Sequence, residues 1–352
     1  MPEVLVAKAL TGRSQEASIA LQQQLKSGQV DLQQSILRAL EPHLLQLCED
    51  KHGNFLIQRA IAVNASIAWK LKGNFAHLTT SQYGCHVVQR ILDTSEDLQR
   101  QIVDELLSND MFSNFTSRNC VHVWAKILEI KWSDAAFGHR VFESINGSMR
   151  GRWHQLATQE TGSIIVQNLF ESAREEDKAE CIQEVLDRLP DCAANQWGVW
   201  VVQHLIEHGS AENRQKAYDR FVEEAPRLSL SQYGHKAIMT ALKCKDSHFL
   251  KGYINKLVEG QEEGGIAQQQ RSSNGHVPSH SMGEKNRRSM LVEVASVPQG
   301  LQIVTQLLTT VGREERERII KAVRKNSVFL KGNKTGLKVH QMCERARAYS
   351  GY

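Results

Sequence analysis

The stretch Ser81-Gln82-Tyr83-Gly84-Cys85-His86-Val87-Val88-Gln89-Arg90-Ile91-Leu92 decides the fold. Wound as a helix at about 100° per residue, it places Cys85, His86, Gln89 and Arg90 on one arc and Val87, Val88, Ile91 and Leu92 on the opposite arc. The second arc is apolar and suited to burial. The first is a row of polar or flat side chains with no packing duty of its own.

The stretch recurs along the chain. Asn195–Ile206 reads Asn-Gln-Trp-Gly-Val-Trp-Val-Val-Gln-His-Leu-Ile, and Ser231 opens a second Ser-Gln-Tyr-Gly. Gly-Asn-Phe-Leu-Ile-Gln-Arg begins at Gly53, and Gly-Ser-Ile-Ile-Val-Gln begins at Gly162. The small residue that precedes each copy marks the register: Ala17, Gly53, Gly84, Cys120, Gly162, Gly198, Gly234, Gly300 and Gly336. Successive markers are 36, 31, 36, 42, 36, 36, 66 and 36 residues apart. A period of this length, with helical patterns such as Leu98–Leu107 and Lys178–Leu189 between markers, predicts an all-α solenoid of two or three helices per repeat. No repeat of this size buries its apolar face alone; stacking against its neighbours does so.

Two intervals exceed the period. The 42-residue interval holds Lys131-Trp132-Ser133-Asp134, read as a loop. The 66-residue interval holds a polar stretch at 259–289, rich in Gly, Ser and Gln and without periodicity, which predicts a disordered insertion in the seventh repeat. Residues 1–17 read as a weak first repeat and 328–352 as a terminal capping half-repeat, so that 1–352 forms a single array.

Composition narrows the function classes. The chain has 352 residues, 41% hydrophobic and 23% charged, with 43 Lys and Arg against 39 Asp and Glu. A net charge of +4 neither demands nor forbids a polyanionic partner, because charge can gather on one face. The seven cysteines are scattered and form no Cys-x-x-Cys pair, the pattern of reduced intracellular thiols without a zinc site. The N-terminal sequence lacks the features of a signal peptide, and no apolar run approaches the ~18 residues of a membrane span. No phosphate-cradling loop, metal-ligand spacing or nucleophile motif appears, so neither an enzyme nor a cofactor is expected.

Each copy reduces to a window of five residues after its marker. In order they are Ser18–Gln22, Asn54–Gln58, Cys85–Gln89, Val121–Ala125, Ser163–Gln167, Val199–Gln203, His235–Met239 and Leu301–Thr305. The third and fourth positions are apolar throughout and read as core. The fifth is Gln in five windows, and a Gln amide offers a donor and an acceptor side by side, matching a nucleobase edge. The second is often flat, as in Phe55, His86, His122 and Trp200, and a flat side chain at each step suits stacking between bases at about 1–3 kcal/mol apiece. Amide plus platform, repeated once per unit, is the logic of reading single-stranded RNA one base at a time. Arg59, Arg90 and Lys126 follow the fifth position and are candidates for phosphate contact.

The windows Gly-Asn-Phe-Leu-Ile-Gln-Arg, Gly-Cys-His-Val-Val-Gln-Arg and Gly-Val-Trp-Val-Val-Gln-His resemble the RNA-reading helices of Pumilio (PUF) repeats. The resemblance spans roughly residues 15–345, strongest in windows two, three, five and six. It implies a right-handed curved array of about eight three-helix repeats, with the reading helices lining the concave face and the RNA running antiparallel to the protein. It also implies a code. Asn54 with Gln58 corresponds to uracil, with Phe55 stacking; Cys85 with Gln89 to adenine, with His86 stacking; Ser163 with Gln167, and Ser18 with Gln22, to adenine. Window four, with Val121 and Ala125, has no pair to discriminate with. The implied element is 5′-A-N-A-U-A-3′.

The family's usual target is 5′-UGUA-N-AUA-3′, and its UGU portion has no counterpart here. Windows six to eight carry Val199/Gln203, His235/Met239 and Leu301/Thr305, so altered or relaxed 5′ recognition is expected, with Gln203 and Trp200 keeping a weak uracil preference. The resemblance further implies a cytoplasmic regulator of translation or stability acting on mRNA 3′ untranslated regions. Its expected partners are deadenylase or translational-repression proteins, and a second copy of the chain on the same RNA. Two rivals share the sequence pattern: an α-solenoid that docks a peptide, and a low-specificity ribosome-biogenesis factor.

Overall fold

In a computed structural model the described residues are 2–11, 14–258 and 289–349, and among them every regular element is helical. The chain divides into two units, Met1–Glu184 and Val185–Tyr352. In each, a short helix follows an outer helix and turns the chain into a window helix.

The first unit holds the window helices Gln15–Lys26, Gly53–Val63, Gly84–Ile91, Val121–Glu129 and Glu160–Ser172, each packed on the next. The second holds Gly198–His208, Gly234–Lys243, Pro298–Thr310 and Lys334–Tyr349, packed in the same succession. The third and fourth window positions supply the core expected of them: Leu56 and Ile57, Val87 and Val88, Ile165 and Val166, Val201 and Val202, and Ile303 and Val304 are all buried. Trp124 in window four is fully buried and meets Phe115 edge-on at 4.8 Å, and Phe115 in turn stacks on Trp153 at 6.2 Å.

The marker glycines have a steric cause. At Gly53, Gly84, Gly162, Gly198, Gly234, Gly300 and Gly336, an added Cβ would come within 2.9 Å of a backbone carbonyl oxygen six residues upstream. Those carbonyls belong to Leu47, Leu78, Leu156, Cys192, Leu228, Val294 and Leu330, all in the short helices. The short helix thus crosses the start of the window helix too closely for any side chain. At the exceptional marker Cys120 the thiol instead donates to the Thr79 carbonyl at 3.5 Å.

A second device recurs between repeats of the first unit. Glu105 accepts from the amides of Gly73 (2.7 Å) and Phe75 (2.8 Å), and Glu184 accepts from those of Gly151 and Trp153. Each carboxylate comes from the following outer helix and sits at the N-terminus of the preceding short helix, where unsatisfied amides and the helix dipole favour negative charge. Gly73 and Gly151 both take positive φ at this turn, of 87° and 74°.

The irregular intervals also resolve. The 31-residue spacing arises because a seven-residue 3-10 segment, Ala65–Leu71, stands where other repeats have a full outer helix. The 42-residue spacing holds the loop around Trp132 and the 15-residue outer helix Ala135–Met149. The insertion expected at 259–289 falls, but for Ser289, outside the described residues. After the outer helix Arg313–Lys325 come the short helix Ser327–Lys331 and the helix Lys334–Tyr349, which with the turn between them hold the described residues of the segment expected as a half-repeat cap, 328–352; Gly336 repeats the close crossing of the others. At the other end the helix Pro2–Thr11 precedes the first window helix, Gln15–Lys26. No helix among the described residues is long and apolar enough to cross a membrane.

Candidate nucleic-acid interface

The window helices sort their five positions the same way in repeat after repeat. The second position is exposed in all eight windows: Ile19, Phe55, His86, His122, Ile164, Trp200, Lys236 and Gln302. Phe55 at 56% and Trp200 at 54% exposure are large aromatic surfaces that the fold leaves uncovered. Ile19 and Ile164 occupy the same platform position, which the period marks although neither side chain is flat.

The first position departs from the sequence reading, which set it on the open arc with the second. Ser18, Asn54, Cys85, Ser163 and Val199 are all buried, none more than 4% exposed. Cα–Cβ bonds tilt toward the helix N-terminus, so a side chain in the first turn leans back over the preceding short helix and its turn. The four polar side chains among these five find backbone partners. Ser18 Oγ donates to the His52 carbonyl of the next repeat at 2.8 Å, and Asn54 Nδ2 donates to the carbonyls of Asp50 (2.9 Å) and Lys51 (3.0 Å). Ser163 Oγ donates to the Glu160 carbonyl at 2.9 Å. The Cys85 thiol donates to the Gln82 carbonyl at 3.5 Å, and burial raises its pKa, so it stays protonated.

The fifth-position amides are half-buried beside these residues. Gln22 Nε2 donates to Ser18 Oγ at 3.1 Å, Gln58 Nε2 to Asn54 Oδ1 at 3.0 Å, and Gln167 Nε2 to the Ser163 carbonyl at 2.9 Å. Gln89 differs: its Nε2 is buried without a hydrogen-bond partner, and Cys85 one turn back carries a thiol where Ser18 and Asn54 carry a side-chain oxygen. Windows two and three hold their first and fifth residues one turn apart on one helix. Gln203, beside Val199, donates to Thr240 Oγ1 on the following window helix at 2.7 Å.

The residues singled out for phosphate are differently engaged. Arg59 is half-buried with its Nε unpartnered. Arg90 stands 3.9 Å from Asp93. Lys126 is committed to the Gln89 carbonyl at 3.1 Å and to the Asp93 carboxylate, so its charge ties window four to window three rather than standing open. Asp93 lies outside the five-residue frame, so the window pattern does not mark it. In windows seven and eight, His235 Nδ1 pairs with the Ser231 carbonyl at 3.0 Å and Thr305 donates to the Leu301 carbonyl at 2.7 Å. Neither window presents an amide at its fifth position. Among the described residues no cluster of His, Cys, Asp and Glu is arranged to hold a metal.

The family pattern described as a Pumilio-family RNA binding repeat matches residues 43–64, 74–107, 152–186 and 190–219. Two proteins of Schizosaccharomyces pombe are similar over nearly the whole chain. "Meiotic coiled-coil protein 2" is 34% identical over 348 residues, covering 97% of this chain and 46% of that protein. "Meiotic PUF family protein 1" is 31% identical over 352 residues, covering 98% of this chain and 56% of that protein. The chain thus spans about half the length of these relatives. Among solved structures, PUF-8 in complex with PBE-RNA superposes with a TM-score of 0.74 at 19% identity, covering 98% of this chain and 93% of that one. Yeast Puf5p bound to MFA2 RNA gives a TM-score of 0.73 at 14% identity, covering 98% and 96%. These two likenesses speak to the fold.

Proposed function

Because the chain belongs to the Pumilio family of RNA-binding repeat proteins, we propose that it binds single-stranded mRNA along its window helices, one base to a window. The observation that carries this reading is the regular sorting of the windows: an exposed second residue at every step, with a half-buried amide one turn away in windows one, two, three and five. Phe55 and Trp200 each leave more than half of a large aromatic side chain exposed, and stacking on a base gives that surface a role. Both solved relatives named above are described as RNA complexes.

The base assignments follow from the amides. Gln89 or Gln167 pairs with the adenine edge through N1 and N6, while the small Cys85 or Ser163 leaves room for a purine. Asn54 and Gln58 together match the mixed donors and acceptors of uracil. Windows five to one then read 5′-A-N-A-U-A-3′, with window four silent. The targets are 3′ untranslated regions of cytoplasmic messages. Repression or decay of those messages is the work of recruited proteins such as a deadenylase complex.

The test is direct binding to an RNA bearing that element across a salt series. The reading predicts affinity that falls as salt rises, and loss of most binding when Gln58→Ala and Gln89→Ala are combined. Salt-independent association, or a double variant that binds as the parent does, favours a peptide-docking solenoid instead.

A further inference from the structure

In windows one, two and five the fifth-position amide nitrogen turns back onto its own helix, to Ser18, Asn54 and Ser163 respectively. Window six does otherwise. Val199 has no side-chain oxygen, and Gln203 reaches across to the seventh window helix. There its Nε2 donates to Thr240 Oγ1 at 2.7 Å and approaches the Lys236 carbonyl at 3.5 Å. Its Oε1 is buried with no hydrogen-bond partner. Thr240 is itself buried. It stands directly after the fifth position of its window, the place held by Arg59, Arg90 and Lys126 in windows two to four. A long cation there would occupy the space that the short threonine leaves for the Gln203 amide.

We propose that Thr240 is a positioning residue that latches window six, holding Gln203 against the seventh window helix so that its amide is withdrawn from the RNA and the base at that step goes unread. The inference rests on the RNA-binding reading above. Both polar ends of the Gln203 amide are spent or covered, so a base can engage it only by breaking the bond to Thr240. The 5′ part of the footprint is therefore relaxed not only because windows seven and eight lack an amide at the fifth position but because the fifth-position amide of window six is tied down. Removing the hydroxyl reverses the balance: on the protein side the Gln203 donor keeps only the long approach to the Lys236 carbonyl at 3.5 Å, and its best remaining partner is the base.

The test compares four RNAs that differ only in the nucleotide immediately 5′ of the adenine assigned to Ser163 and Gln167. For the unmodified protein their dissociation constants should agree within about twofold. In Thr240→Val the spread should widen to roughly fivefold, the worth of one ordinary hydrogen bond, with preferences at every other position unchanged. Thr240→Ser should restore the flat profile, and adding Gln203→Ala to Thr240→Val should abolish the new preference. A general packing defect would do neither. If valine is not tolerated in the fold, Thr240→Ala makes the same comparison. A steep preference in the unmodified protein, or a flat profile in Thr240→Val with RNA binding intact, overturns the latch alone. Absence of RNA binding by the unmodified protein at low salt overturns the proposed function and the latch with it.

Discussion

The amide of Gln58 donates to Asn54 Oδ1 at 3.0 Å, one helical turn away and within the same window. Asn54 is meanwhile anchored through its own Nδ2 to two backbone carbonyls of the preceding turn. The pair is thus pre-set before any ligand arrives, which lowers the ordering cost of binding. Replacing both with Asn54→Ser and Gln58→Glu exchanges a mixed edge for an acceptor edge suited to guanine. The doubly changed protein should prefer guanine over uracil at that step, read as a reversal in competition binding. Equal affinity for the two RNAs before and after the change would mean that window two reads no base.

Phe55 and Trp200 separate binding from folding. Both side chains are more than half exposed, so Phe55→Ala and Trp200→Ala should alter unfolding free energy by no more than about 0.5 kcal/mol. If they are stacking platforms, each should weaken RNA binding by about 1–3 kcal/mol. Denaturant melts and RNA titrations on the same preparations give the two numbers. A loss of stability that matches the loss of affinity would make them packing residues.

A marker glycine and a glycine inside an outer helix predict opposite effects from one substitution. At Gly234 an added Cβ would lie 2.8 Å from the Leu228 carbonyl oxygen, and the two helices would have to separate. Gly234→Ala should destabilise the protein by about 1–3 kcal/mol. Gly147 lies inside the outer helix Ala135–Met149, and its Cβ would meet nothing within 4 Å. Gly147→Ala should therefore stabilise, by up to about 1 kcal/mol, through helix propensity. Urea midpoints of the two variants decide the matter.

The thiols report on the first window position. Cys244 is exposed, and the other six cysteines are buried. Burial pushes Cys85 upward and Cys192 up to about 12, so neither forms the reactive thiolate at neutral pH. Brief treatment of the native protein with iodoacetamide should label Cys244 first and leave Cys85 untouched. Labelling of Cys85 at a comparable rate would show that the first position is open to solvent and not tucked under the preceding turn.

Much of the fold was legible because its period is steric. At seven of the nine markers the short helix crosses the window helix too closely for a side chain, so Gly53, Gly84, Gly198 and their counterparts announce those repeats in the sequence. The exposed platforms were equally visible, since Val201 and Val202 already fill the burying arc and leave Trp200 outside it. Less legible was whatever depends on direction along the helix. The lean of side chains toward the N-terminus buries Asn54 and Cys85, although a wheel projection sets them beside Phe55 and His86. Ties between windows were not visible at all. Lys126 with Asp93, and Gln203 with Thr240, join residues more than thirty positions apart through atoms outside the five-residue frame.

Selection of bound RNAs from a random pool by the intact chain tests the central claim most directly. The account predicts enrichment of 5′-A-N-A-U-A-3′ with little preference at the positions immediately 5′ of it. Recovery of an obligatory UGU without an AUA element, or of no common element, would contradict it.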